Sequence, residues 1–299
     1  MIQADDTGCQ VVIYPGYTEF NHPISRQGNW KKVKGLKKKW WQQELNTFVY
    51  KNDLEKLGKA NVERIGNRKA ITQFTPSSRK RLLKKLYSLS ELPSQLITLT
   101  YPKYYPADSK EWKRHLDNFR RILFDHYPKA WFFWKLEPQR RGAPHFHLLG
   151  CIGSNLIIHL LRQHIALLWY QVCGTENPKH LKAGTGVEIL RKTKGSINAY
   201  VSKYMSKVDL TDYEEWSRPG RFWGIIGRDN LPDEIKVVID LDKPEYYVIR
   251  RLIRSWLKKQ SPKCLNYSKR LRKVPSFFVI LPSTIIYQFL DLVQGKVPF

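Results

Sequence analysis

Acidic side chains are what this sequence is short of. Its 299 residues hold 26 Asp and Glu against 52 Lys and Arg, a formal net charge of +26, with a sequence pI of about 9.9. Such an excess repels itself unless a polyanion relieves it, and neutralising phosphates releases counterions, so nucleic acid is the expected partner. Apolar runs are also short. None approaches the roughly 18 residues of a membrane span, so no membrane partner is expected. The first residues, MIQADDTGC, are acidic rather than basic and then apolar, and no secretory leader is expected. The four cysteines (Cys9, Cys151, Cys173, Cys264) form no CxxC pair, which suits free thiols in a reducing cytoplasm. Neither internal repeats nor low-complexity tracts occur. QGK (294–296) lacks the leading glycine and trailing Ser/Thr of a phosphate-binding loop, so no fused helicase is expected.

Aromatic residues are plentiful: 10 Trp, 16 Tyr and 13 Phe. Aromatic faces are what unstacked bases need. Three stretches follow one another. Residues 1–90 are basic and irregular. There NWKKVKGLKKKWW (29–41) interleaves Lys37, Lys38, Lys39 and other lysines with tryptophans, and SRKRLLKKLYSL (78–89) has leucines at helical spacing. Both suit contact with phosphates.

Residues 91–228 carry the clearest patterning. SQLITLTYP (94–102), KAWFFWKLEP (129–138), PHFHLLGCI (144–152) and TGVEILRK (185–192) read as strands. PADSKEWKRHLDNFRRILFDHYP (106–128) reads as a helix, with Asp108 and Glu111 spaced as a capping box and Trp112, Leu116, Phe119 and Leu123 as its apolar stripe. SNLIIHLLRQHIALLWYQV (154–172) reads as a helix capped by Ser154, and SINAYVSKYMSK (196–207) as another capped by Ser196. Residues 229–299 offer a strand (234–242), a basic helix after Pro244, a cationic linker SPKCLNYSKRLRK, a short strand FFVIL and a last helix from Ser283. The succession predicts an α+β fold with a central, mainly antiparallel sheet and flanking helices, extended at both ends by basic regions. The expected organisation is a central domain over 91–228, with 1–90 and 229–299 as additions to it.

The chemistry-bearing residues fall inside that central stretch. Side chains alternate faces along a strand, so His145 and His147 share one face of PHFHLLGCI. Two imidazoles there are poor core packing and good metal ligands. Glu137 ends the preceding strand, and a short loop returns it beside the pair. One carboxylate with two imidazoles leaves open positions on a divalent ion. In YVSKYMSK, Tyr200, Lys203, Tyr204 and Lys207 lie at i, i+3, i+4 and i+7, a single helical stripe of two phenols and two cations. A phenol makes a phosphodiester nucleophile where cations favour phenolate and neutralise the phosphate. His159 and His164 sit five apart on their helix, do not share a face, and read as packing or surface residues.

HFH preceded by the glutamate, Y-x-x-K-Y-x-x-K on a later helix, and ITLTYP upstream together resemble the HUH endonucleases. More narrowly they resemble the two-tyrosine rolling-circle replication initiators of single-stranded DNA phages and small plasmids. The resemblance covers roughly 94–228, and RFWGIIGR (221–228) fits the way these domains close. It implies that Glu137, His145 and His147 bind a divalent metal, Mg2+ or Mn2+, that Tyr200 and Tyr204 are the nucleophiles, and that Lys203 positions the phosphate. Thr98 and Thr100 match the first motif, where the role is structural or DNA-positioning. The implied activity is nicking of single-stranded origin DNA, including a hairpin form, to give a 5′-phosphotyrosine and a free 3′-OH, followed by rejoining. A host helicase and DNA polymerase would be partners in a bacterial cytoplasm, the gene being carried by the host, a plasmid or a phage. A single-strand transposase, a relaxase, or a basic nucleic-acid binder without catalysis are the alternatives. A relaxase is disfavoured because it typically places its tyrosine ahead of the histidine pair.

Overall fold

The computed structural model describes residues 8–23, 71–190, 201, 205, 216, 218–260 and 262–295. The fold is α+β, with two sheets among the described residues and helices against them. In chain order the elements are β1 (Cys9–Ile13), β2 (Thr18–Asn21), α1 (Pro76–Tyr87), β3 (Gln95–Thr100), α2 (Ser109–His126), β4 (Trp131–Pro138), β5 (Pro144–Cys151), α3 (Ile158–Cys173), α4 (Pro178–Ala183) and β6 (Thr185–Ile189). Then come β7 (Trp223–Ile226), β8 (Val237–Leu241), α5 (Lys243–Gln260), α6 (Pro262–Leu271), β9 (Phe277–Val279) and α7 (Ser283–Val293).

The chain divides into two compact units. The larger takes Val12–Glu19, Ile71–Ile239 and Phe278–Phe299, and the smaller takes Met1–Val11, Phe20–Ala70 and Asp240–Phe277. The larger unit is organised by a five-stranded sheet of order β6-β3-β5-β4-β7, every pairing antiparallel. Its register aligns Leu99 with Phe146 and Phe146 with Leu136, and Ile97 with Leu148 and Leu148 with Trp134. That apolar face lies under α2 and α3: Trp169 of α3 sits 6.5 Å from Phe146, ring centre to ring centre, and 5.9 Å from Phe119 of α2. The stripe expected on α2 is the one buried, Trp112, Leu116, Phe119 and Leu123. Asp108 caps that helix, accepting from the Lys110 amide at 2.9 Å. The Lys113 ammonium of α2 lies 4.4 Å from the Trp134 ring centre, and burial pulls its pKa down to about 7.

Four elements differ from expectation. α3 starts at Ile158, and Ser154 instead closes a turn, its Oγ accepting from the Leu156 amide at 3.1 Å. The segment read as a cationic linker is helix α6. Pro262 opens it, with φ already set for a first turn. α4 is an additional short helix opened by Pro178. Two strands, β1 and β2, lie inside the stretch read as irregular. The expected helix over 196–207 and the lysines at 37–39 fall outside the described residues, apart from Val201 and Met205, which are both buried.

In the smaller unit, Phe20 stacks on Phe277 at 4.6 Å, and the Tyr246 hydroxyl of α5 donates to the Pro275 carbonyl at 2.5 Å. α5 and α6 pair as an antiparallel hairpin. Arg254 donates from Nε to the Ser268 carbonyl at 3.1 Å, and Ser268 Oγ donates to the Arg254 carbonyl at 3.1 Å. Arg250 caps the far end by donating to the Leu271 carbonyl, where a helix C-terminus leaves acceptors unpaired.

Candidate active site

The second face of the five-stranded sheet is the polar one. β4 and β5 form a hairpin whose connection spans 139–143. Gly142 turns it with φ of 82°, in the left-handed region that costs glycine little, while the Gln139 amide donates to the Ala143 carbonyl at 2.9 Å. This turn fixes a register in which Glu137 faces His145, and Lys135 faces His147. On the other side of β5, Thr100 faces His145 and Thr98 faces His147. Directly paired residues in an antiparallel ladder project to the same side. Three strands therefore bring Thr98, Thr100, Lys135, Glu137, His145 and His147 to one face.

Hydrogen bonds link these side chains. Each histidine meets a threonine hydroxyl at Nδ1: Thr100 Oγ1 lies 3.0 Å from His145 and Thr98 Oγ1 lies 3.3 Å from His147. A hydroxyl can donate or accept, so either tautomer can be held. His147 Nε2 donates to Glu137 Oε1 at 2.7 Å, and Lys135 Nζ donates to Glu137 Oε2 at 3.0 Å. The two imidazole rings are 4.5 Å apart, nearly perpendicular. Gln139 Nε2 also approaches His145 Nδ1, at 3.4 Å, and is held in turn by Arg141 Nε, which donates to Gln139 Oε1 at 3.1 Å.

Charge follows from that packing. Burial pushes His145 down to about 4, assisted by the charge of His147, so its imidazole is neutral near pH 7. Burial alone would raise the Glu137 carboxyl, yet the hydrogen bond from His147 and the Lys135 ammonium hold it below the usual carboxylate range. Lys135 is 1% exposed and lies 5.5 Å from the ring centre of Phe74, just before α1. A buried cation with an apolar neighbour requires a paired carboxylate, and Glu137 is that partner.

One backbone oxygen ties this face to the rest of the unit. The Thr100 carbonyl accepts from Trp169 Nε1 and from His180 Nε2, both at 2.8 Å, and the Thr100 amide donates to the Gly184 carbonyl at 2.8 Å. The end of β3 that carries the hydroxyl bonded to His145 is thereby fixed by α3 and α4.

Among the residues expected at the site, Glu137, His145, His147, Thr98 and Thr100 are assembled on this face. Tyr200, Lys203, Tyr204 and Lys207 lie outside the described residues, as do Lys37, Lys38 and Lys39. Among the described residues, no group of three or more His, Cys, Asp or Glu side chains is already disposed as a metal cage; Glu137 and His147 bond each other directly. Sequence reasoning missed Lys135. Its signal was the alternation in WFFWKLEP, which puts Lys135 and Glu137 on the same side. It also missed His180, which precedes β6 on α4.

Residues 94–209, less than half of the chain, match the family described as Replication-associated protein ORF2. No curated protein and no solved structure matches the chain. Among the described residues no helix is long and apolar enough to cross a membrane. The matched segment includes every member of the polar face, and it is similar to replication-associated proteins.

Proposed function

We propose that this protein initiates replication by nicking single-stranded origin DNA and keeping the new 5′ end covalently on a tyrosine. The observation that carries the reading is the strand register that sets Glu137, His145 and His147 side by side, within the segment similar to replication-associated proteins.

The donor set suits a divalent ion, Mg2+ or Mn2+. Both histidines engage a threonine hydroxyl through Nδ1, the arrangement that orients an imidazole to ligate through Nε2. His145 is neutral at working pH, as a ligand must be. The Glu137 carboxylate would exchange its bond from His147 for the ion, with Lys135 holding the other oxygen. When bound, such an ion polarises a non-bridging oxygen of the scissile phosphate.

The nucleophiles in this reading are the phenols of Tyr200 and Tyr204. The Oη of one attacks the phosphorus in line, the bond to the 3′ oxygen breaks, and the phenolic proton ends on the departing oxygen. The products are a 5′-phosphotyrosine and a free 3′-OH. One phosphate ester replaces another, so no nucleotide hydrolysis is required. Lys203 neutralises the phosphate, and the second phenol accepts the strand when the regenerated junction is cut. A host helicase and polymerase would supply unwinding and extension.

Incubating the protein with a single-stranded origin oligonucleotide and Mn2+ tests this. A covalent adduct should form, change with Tyr200→Phe or Tyr204→Phe alone, and vanish in the double variant. Adduct that survives the double change would remove the phenols from the mechanism, and binding unaffected by EDTA without any cleavage would leave a non-catalytic nucleic-acid binder.

A further inference from the structure

We infer that the α5–α6 hairpin is a second nucleic-acid surface, built to lie along the phosphate backbone of duplex DNA without reading its sequence. Between Lys243 and Lys273 the sequence carries eleven Lys and Arg residues and one acid, Glu245. Glu245 is spent locally, its carboxylate accepting from the Asp242 amide at 2.9 Å at the start of α5.

The cations are ordered, not scattered. Tyr247, Arg251, Arg254 and Lys258 follow one another at i, i+4, i+7 and i+11, a stripe along the outer side of α5. Tyr247, Arg251 and Lys258 are exposed and Arg254 is half-buried in the groove against α6. The opposite stripe, Tyr246, Ile249, Ile253 and Leu257, is buried. From α6 the exposed Lys269 and Arg270 join, followed by Arg272 and Lys273. The guanidiniums crowd one another: partial burial, and then the charges of Arg272 and Arg250, lower the pKa of Arg254.

A comparison inside the chain shows that this is not a solvated helix of the usual kind. On α2 the arginines are neutralised on their own helix, Arg114 by Glu111 and Arg120 and Arg121 by Asp117. On the hairpin from Arg250 onward, no cation forms an ion pair with a carboxylate among the described residues. Like charges at one-turn spacing destabilise a helix, so the neutralising charge comes from outside. An 18-residue helix is about 27 Å long, the length of about eight base pairs. Duplex DNA presents a charge every ~1.7 Å along that axis.

Two other polyanions fit less well. Single-stranded nucleic acid is held by exposed rings that stack on bases, and the stripe offers Tyr247 alone. An anionic membrane takes up the apolar face of a helix, and that face of α5 is already buried. The inference stands independently of the nicking chemistry, because a helix pair remote in sequence from residues 94–209 carries it.

The test uses the full chain and a fluorescent duplex of arbitrary sequence, about 20 base pairs long, with anisotropy followed from about 50 to about 200 mM NaCl. The variant combines Arg251→Gln, Lys258→Gln, Lys259→Gln and Arg272→Gln, all at exposed positions, and circular dichroism checks that it folds. With about 0.9 counterions released per phosphate contact, the slope of log affinity against log salt should flatten by up to about 3.6. Affinity at about 100 mM salt should fall roughly tenfold or more. A control variant removes the same charge from α2 (Lys110→Gln, Arg114→Gln, Arg120→Gln, Arg121→Gln) and should change either quantity far less. An unchanged slope in the hairpin variant, or an equal loss in both variants, overturns the inference. So does a loss confined to single-stranded oligonucleotides or to anionic phosphatidylserine vesicles. If the hairpin variant fails to fold, Arg251→Gln with Lys258→Gln alone should flatten the slope by up to about 1.8, judged by the same criteria.

Discussion

The two faces of the five-stranded sheet are built from the same strands and do opposite work. Under α2 and α3 lie Ile97, Leu99, Phe146 and Leu148, all fully buried, each facing an apolar partner across the ladder. One residue along each strand the side chain turns over, and the other face collects Thr98, Thr100, Lys135, Glu137, His145 and His147. The apolar face needs nothing beyond shape and area to be stable. The polar face is stable because every ionisable group on it has a partner at hydrogen-bond distance, with the threonines behind the histidines and the lysine behind the glutamate. A strand can therefore fix reactive side chains to within a fraction of an ångström while its other side holds the fold together.

The largest expected effect breaks the covered face. Phe146→Ala empties a site against Trp169 and Trp134 and should cost about 3–5 kcal/mol, read as a lowered midpoint in urea. His145→Ala, one residue away but only half-buried, should cost less than about 1 kcal/mol while abolishing metal-dependent cleavage. If the two substitutions destabilised equally, the division of labour between the faces would be wrong.

A smaller effect probes the polar face from within. Lys135→Met removes one partner of a buried ion pair and leaves Glu137 with His147. A loss of about 1–3 kcal/mol follows, together with weaker Mn2+ binding, since the carboxylate is no longer held by its second oxygen. Lys135→Arg should restore part of the stability.

The smallest effect concerns Lys113, laid on the covered face beside Trp134. In the folded chain its pKa is about 7, against about 10.4 in an unfolded one. Between those values the unfolded chain binds the extra proton, so stability rises with pH from about 7 to about 10.4. Below about pH 7 both states are protonated and the dependence vanishes. Lys113→Met should flatten that part of the stability–pH curve, as chemical unfolding at about pH 7 and about pH 9.5 would register.

How much of this was legible in the sequence depended on which residues carried the periodicity. β3, β4, β5 and α2 were readable because aliphatic and aromatic side chains marked the buried positions. The α+β class and the Glu137–His145–His147 grouping followed from them. α6 was misread as a linker because its inward positions are Cys264, Tyr267, Ser268 and Leu271 rather than a run of aliphatics, while lysines and arginines fill much of the rest. Its start signal, Pro262, was present and outweighed by charge. β1 was obscured in the same way, five residues long with a cysteine as one of its three buried positions. His180 could not have been foreseen, because its bond to the Thr100 carbonyl joins positions 80 residues apart.

The central claim is that Glu137, His145 and His147 act together on one divalent ion, and Mn2+ binding followed by electron paramagnetic resonance in the absence of DNA tests it most directly. The account predicts one tightly bound ion per chain, lost together in His145→Ala, His147→Ala and Glu137→Gln and retained in Phe146→Leu. Unaltered Mn2+ affinity after both histidines are replaced would contradict it.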